Sequence, residues 1–166
     1  MKHIVIAAAL IAGLAVAQDA AKKPETKPGH DHAMAGHKVS SAKNLQWGPG
    51  PAALPAGAQA VVLEGDPKQP GEFTLRLKFP AGYKIPPHSH PAIEHVTVLS
   101  GEANFGMGDK WDESKGTKLS AGDFIYMQPG QKHYAWTKVE TVIQLHGQGP
   151  WQVNYVNPSD DPRNKK

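Results

Sequence analysis

The run Phe73-Thr74-Leu75-Arg76-Leu77-Lys78-Phe79 alternates apolar and polar side chains with a period of two. Successive residues of a strand point to opposite faces, so this pattern predicts a strand with one face in a core and the other in water. Shorter runs of strand character recur at residues 60–64, 93–99, 103–107, 124–127, 133–136, 139–146 and 151–156. Turn residues separate them, as at Gly65-Asp66-Pro67, Pro80-Ala81-Gly82, Gly101, Gly122-Asp123 and Pro129-Gly130. The run after Gly101 reads as a hairpin partner of residues 93–99, and residues 124–127 read as a buried strand. No helical period appears between them. About eight short strands at this spacing predict an all-β sandwich or barrel.

The pattern begins only near Asn44. Residues 18–43 are rich in Lys, Pro, Ala, Gly and Ser, with no aromatic side chain. Such a segment buries too little apolar surface to offset its ordering entropy and is expected to be a flexible tether. It carries His30, His32, Met34 and His37, which could hold a soft or borderline metal loosely or simply sit in a solvated linker. Ahead of it, Lys2, the apolar stretch 4–14 and Ala15-Val16-Ala17 have the layout of a signal peptide cleaved near Ala17. The apolar stretch is short for a membrane span. The expected division is therefore a signal peptide at 1–17, a tether at 18–43 and a single β domain at 44–166. Export is expected, most simply to a bacterial periplasm or the medium. Within the domain, residues 51–57 suggest a proline-stiffened segment lying across the surface. Residues 109–118 suggest a charged surface loop, and residues 157–166 a polar tail.

Composition narrows the classes. The chain of 166 residues is long enough for one domain with a real core. Its formal charge is only +3 with lysines scattered, and no basic stripe interleaves with aromatics, so nucleic acid is not an expected partner. Cysteine is absent. The fold must then stand without disulfides, no lipobox exists, and a metal site would use histidine and carboxylate rather than thiolate.

That chemistry concentrates in GYKIPPHSHPAIEHVTVLSG, residues 82–101. His88 and His90 are two apart and project from one face of a strand. Pro91 cannot donate to a ladder and favours a turn, after which the chain can bring Glu94 back toward the two imidazoles. Two neutral imidazoles and a carboxylate make a divalent-metal site of mixed nitrogen and oxygen character. His133 is the candidate for a fourth ligand.

At these residues the chain resembles the cupins. Their first motif is a glycine, five residues, His-x-His, three or four residues, Glu, six residues and a glycine; Gly82, His88, His90, Glu94 and Gly101 match it throughout. In the second motif Gly122, Gly130 and His133 fit, while Gln128 stands where proline is usual and Thr137 where asparagine is usual. The runs EHVTVLSG, HYAWT, ETVIQLHGQGPW and YVNPSDDPR are similar to a group of small secreted single-domain cupins. The resemblance implies a double-stranded β-helix, or jelly-roll barrel. It also implies one divalent transition ion (Mn, Fe, Ni, Co, Zn or Cu) held by His88, His90, Glu94 and His133. It further implies a small-molecule ligand and a homodimer.

Among other residues, His95 is expected on the face opposite Glu94, as a surface or interface histidine. His146 is a candidate acid or base lining the pocket, against a strand-end histidine with no role. Tyr83, Lys84 and Tyr126 are candidates to reach substrate, and Trp111 to cover apolar surface. The expected function is a metal-dependent enzyme acting on a small oxygen-rich molecule, in the dioxygenase, decarboxylase, lyase or isomerase class. The alternatives are a periplasmic metal or metabolite-binding module without catalysis, and a storage barrel.

Overall fold

The structure, a computed structural model, describes residues 36–165. The expected signal peptide and most of the tether, with His30, His32 and Met34, lie outside the described residues; His37 is exposed. All described strands belong to one unit, Val39–Lys166.

Eleven strands are formed among the described residues: β1 (Gly48–Pro49), β2 (Gln59–Glu64), β3 (Gly71–Phe79), β4 (Lys84–Ser89), β5 (Glu94–Ser100), β6 (Glu102–Met107), β7 (Thr117–Ser120), β8 (Phe124–Met127), β9 (His133–Thr137), β10 (Thr141–Gly149) and β11 (Asn154–Tyr155). They make two antiparallel sheets, ordered β1-β2-β3-β10-β5-β8 and β11-β4-β9-β6-β7. The period-two run is β3, whose Phe73, Leu75, Leu77 and Phe79 are all buried. They meet Val96 and Val98 of β5, Ile143 and Leu145 of β10, and Ala103, Phe105 and Leu119 from the facing sheet in one core. Each of the larger side chains, Ala103 apart, stabilises the barrel by roughly 1.5–3 kcal/mol on burial.

Three expectations are corrected at the level of whole segments. β5 and β6 are not a hairpin: β5 pairs with β10 and β8, β6 with β7 and β9. At Gly101 the chain crosses between the sheets, with φ 75° and a backbone that passes so close to Glu140 that a Cβ would lie 2.2 Å from its carbonyl oxygen. Only glycine accepts that turn. Second, Phe124–Met127 is buried on one side only, where Met127 enters the core. It is the edge strand of its sheet, and Phe124 and Tyr126 are 51% and 53% exposed. Third, the segment around residues 51–57 does not merely cross the surface: Leu54 is buried in the core.

Smaller differences follow the same lines. The charged loop ends early, because Thr117–Ser120 pairs with β6. The strand expected at 139–146 runs Thr141–Gly149 along the whole of β3, and the one expected at 151–156 shrinks to Asn154–Tyr155. Every residue of β9 is buried, although only alternate ones face the core. The outer face is covered by the loop before β7. Trp111 lies 5.1 Å and 5.5 Å from the rings of Tyr134 and Trp136, and the Tyr134 hydroxyl donates to the Asp112 carbonyl at 2.7 Å. Trp111 thus covers apolar surface, as expected.

Candidate metal centre

β4 and β9 lie side by side with His88 opposite His133. His90 follows at the end of β4, and Glu94 opens β5 in the other sheet. The four side chains meet between the sheets, each no more than 5% exposed. The ring centroids of His88 and His133 are 4.2 Å apart, those of His88 and His90 4.9 Å, and those of His90 and His133 5.2 Å. One nitrogen from each imidazole lies within 4.8 Å of the others. Glu94 Oε2 is 3.3 Å from Nε2 of both His90 and His133.

Backbone carbonyls aim the rings. Nδ1 of His88 faces the Pro86 carbonyl at 2.7 Å, Nδ1 of His90 the Gln152 carbonyl at 2.6 Å, and Nδ1 of His133 the Gln131 carbonyl at 3.0 Å. A carbonyl only accepts, so each Nδ1 carries the proton and donates it. Each ring then turns Nε2 inward, the arrangement in which an outer hydrogen bond fixes tautomer and orientation for metal binding. Nε2 of His90 is buried, and its contact with Glu94 at 3.3 Å lacks the geometry of a good hydrogen bond.

The electrostatics agree. Burial, followed by the neighbouring His133 and His90, pushes the His88 imidazole down from 6.5 to about 3, so it stays neutral at ordinary pH. For His90, burial also pulls downward, but the adjacent Glu94 carboxylate outweighs it and the group is raised. Burial would lift Glu94; His90 and His133 more than offset it and hold the carboxyl well below the usual range. An ionised carboxylate and inward-facing imidazole nitrogens in a buried pocket are what a borderline divalent ion requires. The donor set fits one.

Around this quartet the barrel encloses a cavity of about 30 Å³, room for only one or two waters. Its walls are mostly apolar and include Leu54, Tyr83, Phe105 and Trp151. Trp151 had no role in the sequence reading beyond a place in a strand. Its indole stacks on His90 at 4.7 Å with the planes 15° apart, and Phe73 backs it at 6.3 Å. The next residue, Gln152, supplies the carbonyl for His90. No spacing rule reveals this, because the segment reaches the site from 62 residues away.

The weaker candidates separate. Tyr83 lines the cavity, but its hydroxyl donates to the Pro55 carbonyl, and burial, followed by the nearby Tyr155, raises it far above the ordinary phenol range. Tyr126 is on the outer face, half exposed. Lys84 points outward to Glu113, at 2.9 Å, and over Trp111. His146 is not in the pocket: β10 sends Ile143 and Leu145 inward, so Gln144 and His146 fall outside. There its ring lies flat on His95, 4.6 Å away and 3° from parallel. His95 is on the outer face, as its place after Glu94 requires. Of the two departures from the second motif, Thr137 is buried and its hydroxyl donates to the Pro80 carbonyl at 2.8 Å. Gln128 keeps a backbone N–H that donates to the Gln131 side chain at 3.0 Å, a bond proline could not make.

A jelly-roll barrel with three inward imidazoles and a carboxylate between its sheets defines a cupin with a candidate metal pocket. Residues 35–152 match the model of the ChrR cupin-like domain, and the chain belongs to that family. Solved structures share the fold. The polyketide cyclase RemF from Streptomyces resistomycificus is 17% identical, with a TM-score of 0.61 over 76% of this chain and 89% of that one. A putative acetylacetone dioxygenase from Methylibium petroleiphilum is 20% identical, with a TM-score of 0.57 over 76% and 85%. The DMSP lyase DddQ from Ruegeria pomeroyi is 22% identical, with a TM-score of 0.54 over 69% and 62%. No curated protein matches the chain in sequence.

Proposed function

We propose that the protein is an exported, metal-dependent enzyme acting on a small oxygen-bearing molecule, with its ion held by His88, His90, Glu94 and His133. The observation that carries this is the convergence of three Nδ1-tethered imidazoles on a buried carboxylate, with Glu94 Oε2 3.3 Å from Nε2 of both His90 and His133. A bound divalent ion supplies Lewis acidity or, for a redox-active metal, electrons. The chain's own part is to aim the three imidazoles, hold His88 neutral, keep Glu94 ionised and exclude bulk water. The structural neighbours named as a cyclase, a putative dioxygenase and a lyase support small-molecule chemistry as a class and choose no reaction. Elemental analysis and turnover screening of the purified protein test the proposal together. One ion per chain, and joint loss of ion and turnover in His90→Ala and Glu94→Ala, is the expected result; turnover surviving complete metal loss contradicts it.

One observation favours a second reading, a binding module without catalysis. The hydroxyls of Tyr83 and Thr137, both lining the cavity, are committed to the carbonyls of Pro55 and Pro80. Neither is a free acid or base. Tight ligand capture without chemical change distinguishes this reading. The proposal of export rests on residues 1–17, and that of a homodimer on the exposed Phe124 and Tyr126 edge. Cell fractionation and the mass in solution test them.

A further inference from the structure

All four candidate ligands are buried, and the cavity beside them is far smaller than the roughly 300–1,000 Å³ of ordinary ligand pockets. A ligand therefore enters only if part of the wall moves. One irregular segment of the wall is placed to do so. Residues 50–58 form a loop whose ends are joined by the Gly50 N–H donating to the Ala58 carbonyl at 2.9 Å. Its tip turns inward at Leu54, 5% exposed, whose N–H donates to the Pro51 carbonyl at 2.9 Å. Leu54 lines the inner cavity with His88, Glu94 and His133. It also lines a surface hollow of about 400 Å³ between this loop and Pro162, and among the described residues no other borders both spaces. Leu54 is the partition between them.

The loop is fastened by tyrosine hydroxyls rather than by strand pairing. Tyr155 donates to the Ala53 carbonyl at 2.8 Å, and Tyr83 donates to the Pro55 carbonyl. The Tyr155 ring also lies 5.9 Å from that of His88, which puts the fastening beside the metal ligands. The wall's strands are held by ladders of backbone bonds, and its other irregular residues are braced by rings: Trp151 lies between His90 and Phe73, and Tyr83 stacks on Phe79. This loop is then the part of the wall that opens most cheaply.

We propose that the loop of residues 50–58 is the entrance to the metal centre and that Leu54 is its removable plug. The ligand, on this proposal, is a small molecule whose apolar body takes the place of the Leu54 side chain and whose oxygen-bearing head faces the quartet. The inference rests on the metal reading and refines it, because apolar walls around a polar quartet select a branched or compact hydrocarbon body rather than a polyol.

The test uses the full chain loaded with Co²⁺. Leu54→Ala should speed extraction of the ion by a chelator at least about 10-fold while leaving equilibrium Co²⁺ affinity within about 2-fold; Tyr155→Phe, which keeps the ring and frees the loop, should act in the same direction. Equal extraction rates overturn the plug. Loaded wild-type protein should bind α-ketoisocaproate at least about 10-fold more tightly than oxaloacetate, since only the former buries an isobutyl body. Equal or reversed affinities overturn the ligand class. If the chain holds no Co²⁺, the metal reading fails, and the loop is judged by hydrogen exchange of the metal-free chain. Exchange of the Gly50 and Leu54 amides well ahead of the Thr137 amide supports the entrance, and exchange only with global unfolding overturns it.

Discussion

Glu94 and His95 are neighbours in sequence, as are Leu145 and His146, yet each pair stands on opposite sides of the six-stranded sheet. Two histidine clusters result, one between the sheets and one outside, separated by the thickness of a sheet. Inside, every Nδ1 is tied to a carbonyl, the rings are inclined by 43° to 80°, and a carboxylate lies among them. Outside, His95 and His146 are stacked flat, and no group of three donors within metal-binding reach forms among the described residues. Residue type is the same in both. What differs is the second partner of each ring and the carboxylate that the inner rings share, and those decide which cluster can take an ion.

The largest way to break this contrast is to exchange the fates of the clusters. His133→Ala should weaken binding of Zn²⁺ by at least about 100-fold, whereas His95→Ala and His146→Ala should leave it unchanged. Competition with a chromophoric chelator measures this, in a background where His30, His32 and His37 are alanine so that the leading segment does not contribute. Strong binding that disappears with the outer pair would reverse the assignment.

A second, smaller effect concerns Trp151, which touches His90 without supplying a ligand atom. Trp151→Ala should weaken the ion by about 10–100-fold through loss of ring positioning. Trp151→Phe, which keeps a stacking surface, should recover most of it. Equal losses in both variants would remove the positioning role.

The third effect is a pH slope in the metal-free protein. Because the folded state holds His88 neutral down to about pH 3, the unfolded chain takes up its proton first as pH falls below 6.5. Stability should then fall by up to ~1.4 kcal/mol per pH unit on this account. The raised His90 does not oppose this, since its contribution is complete below 6.5 and fades only at higher pH. Below pH 4.5, protonation of Glu94 adds to the loss. Urea melts between pH 7 and pH 5, in a His146→Asn background that removes the depressed outer group, should show the slope. A flat profile would mean that His88 is not held neutral.

How much of this was legible beforehand divides along the same lines. The strands and the quartet were readable because period two puts His88 with His90, and because the ligand spacing matches a cupin pattern. Parity also placed His95 outside, and the same parity should have excluded His146, since Ile143 and Leu145 are its apolar neighbours. The other misplaced features were contacts between distant segments. Gly101 looked like a hairpin turn because sequence cannot say which sheet accepts the next strand. Leu54 looked like surface because one apolar residue among prolines carries no period. Trp151 and the Gln152 carbonyl reach His90 only after β10 is laid along β3.

The smallest expected effect belongs to the outer pair. His146→Ala removes one stacked ring at a partly open site and should cost about 0.5–1.5 kcal/mol in urea melts. A much larger loss would show that the outer cluster is a structural support of the sheet.

Occupancy of the inner cluster is the decisive quantity. Elemental analysis of the protein purified from its natural host without added metal, beside Glu94→Ala prepared in the same way, reads it directly. One transition ion per wild-type chain and none in the variant is the predicted result. An ion retained at full occupancy without Glu94, or a wild-type chain that neither carries nor binds one, would contradict the assignment of these four side chains.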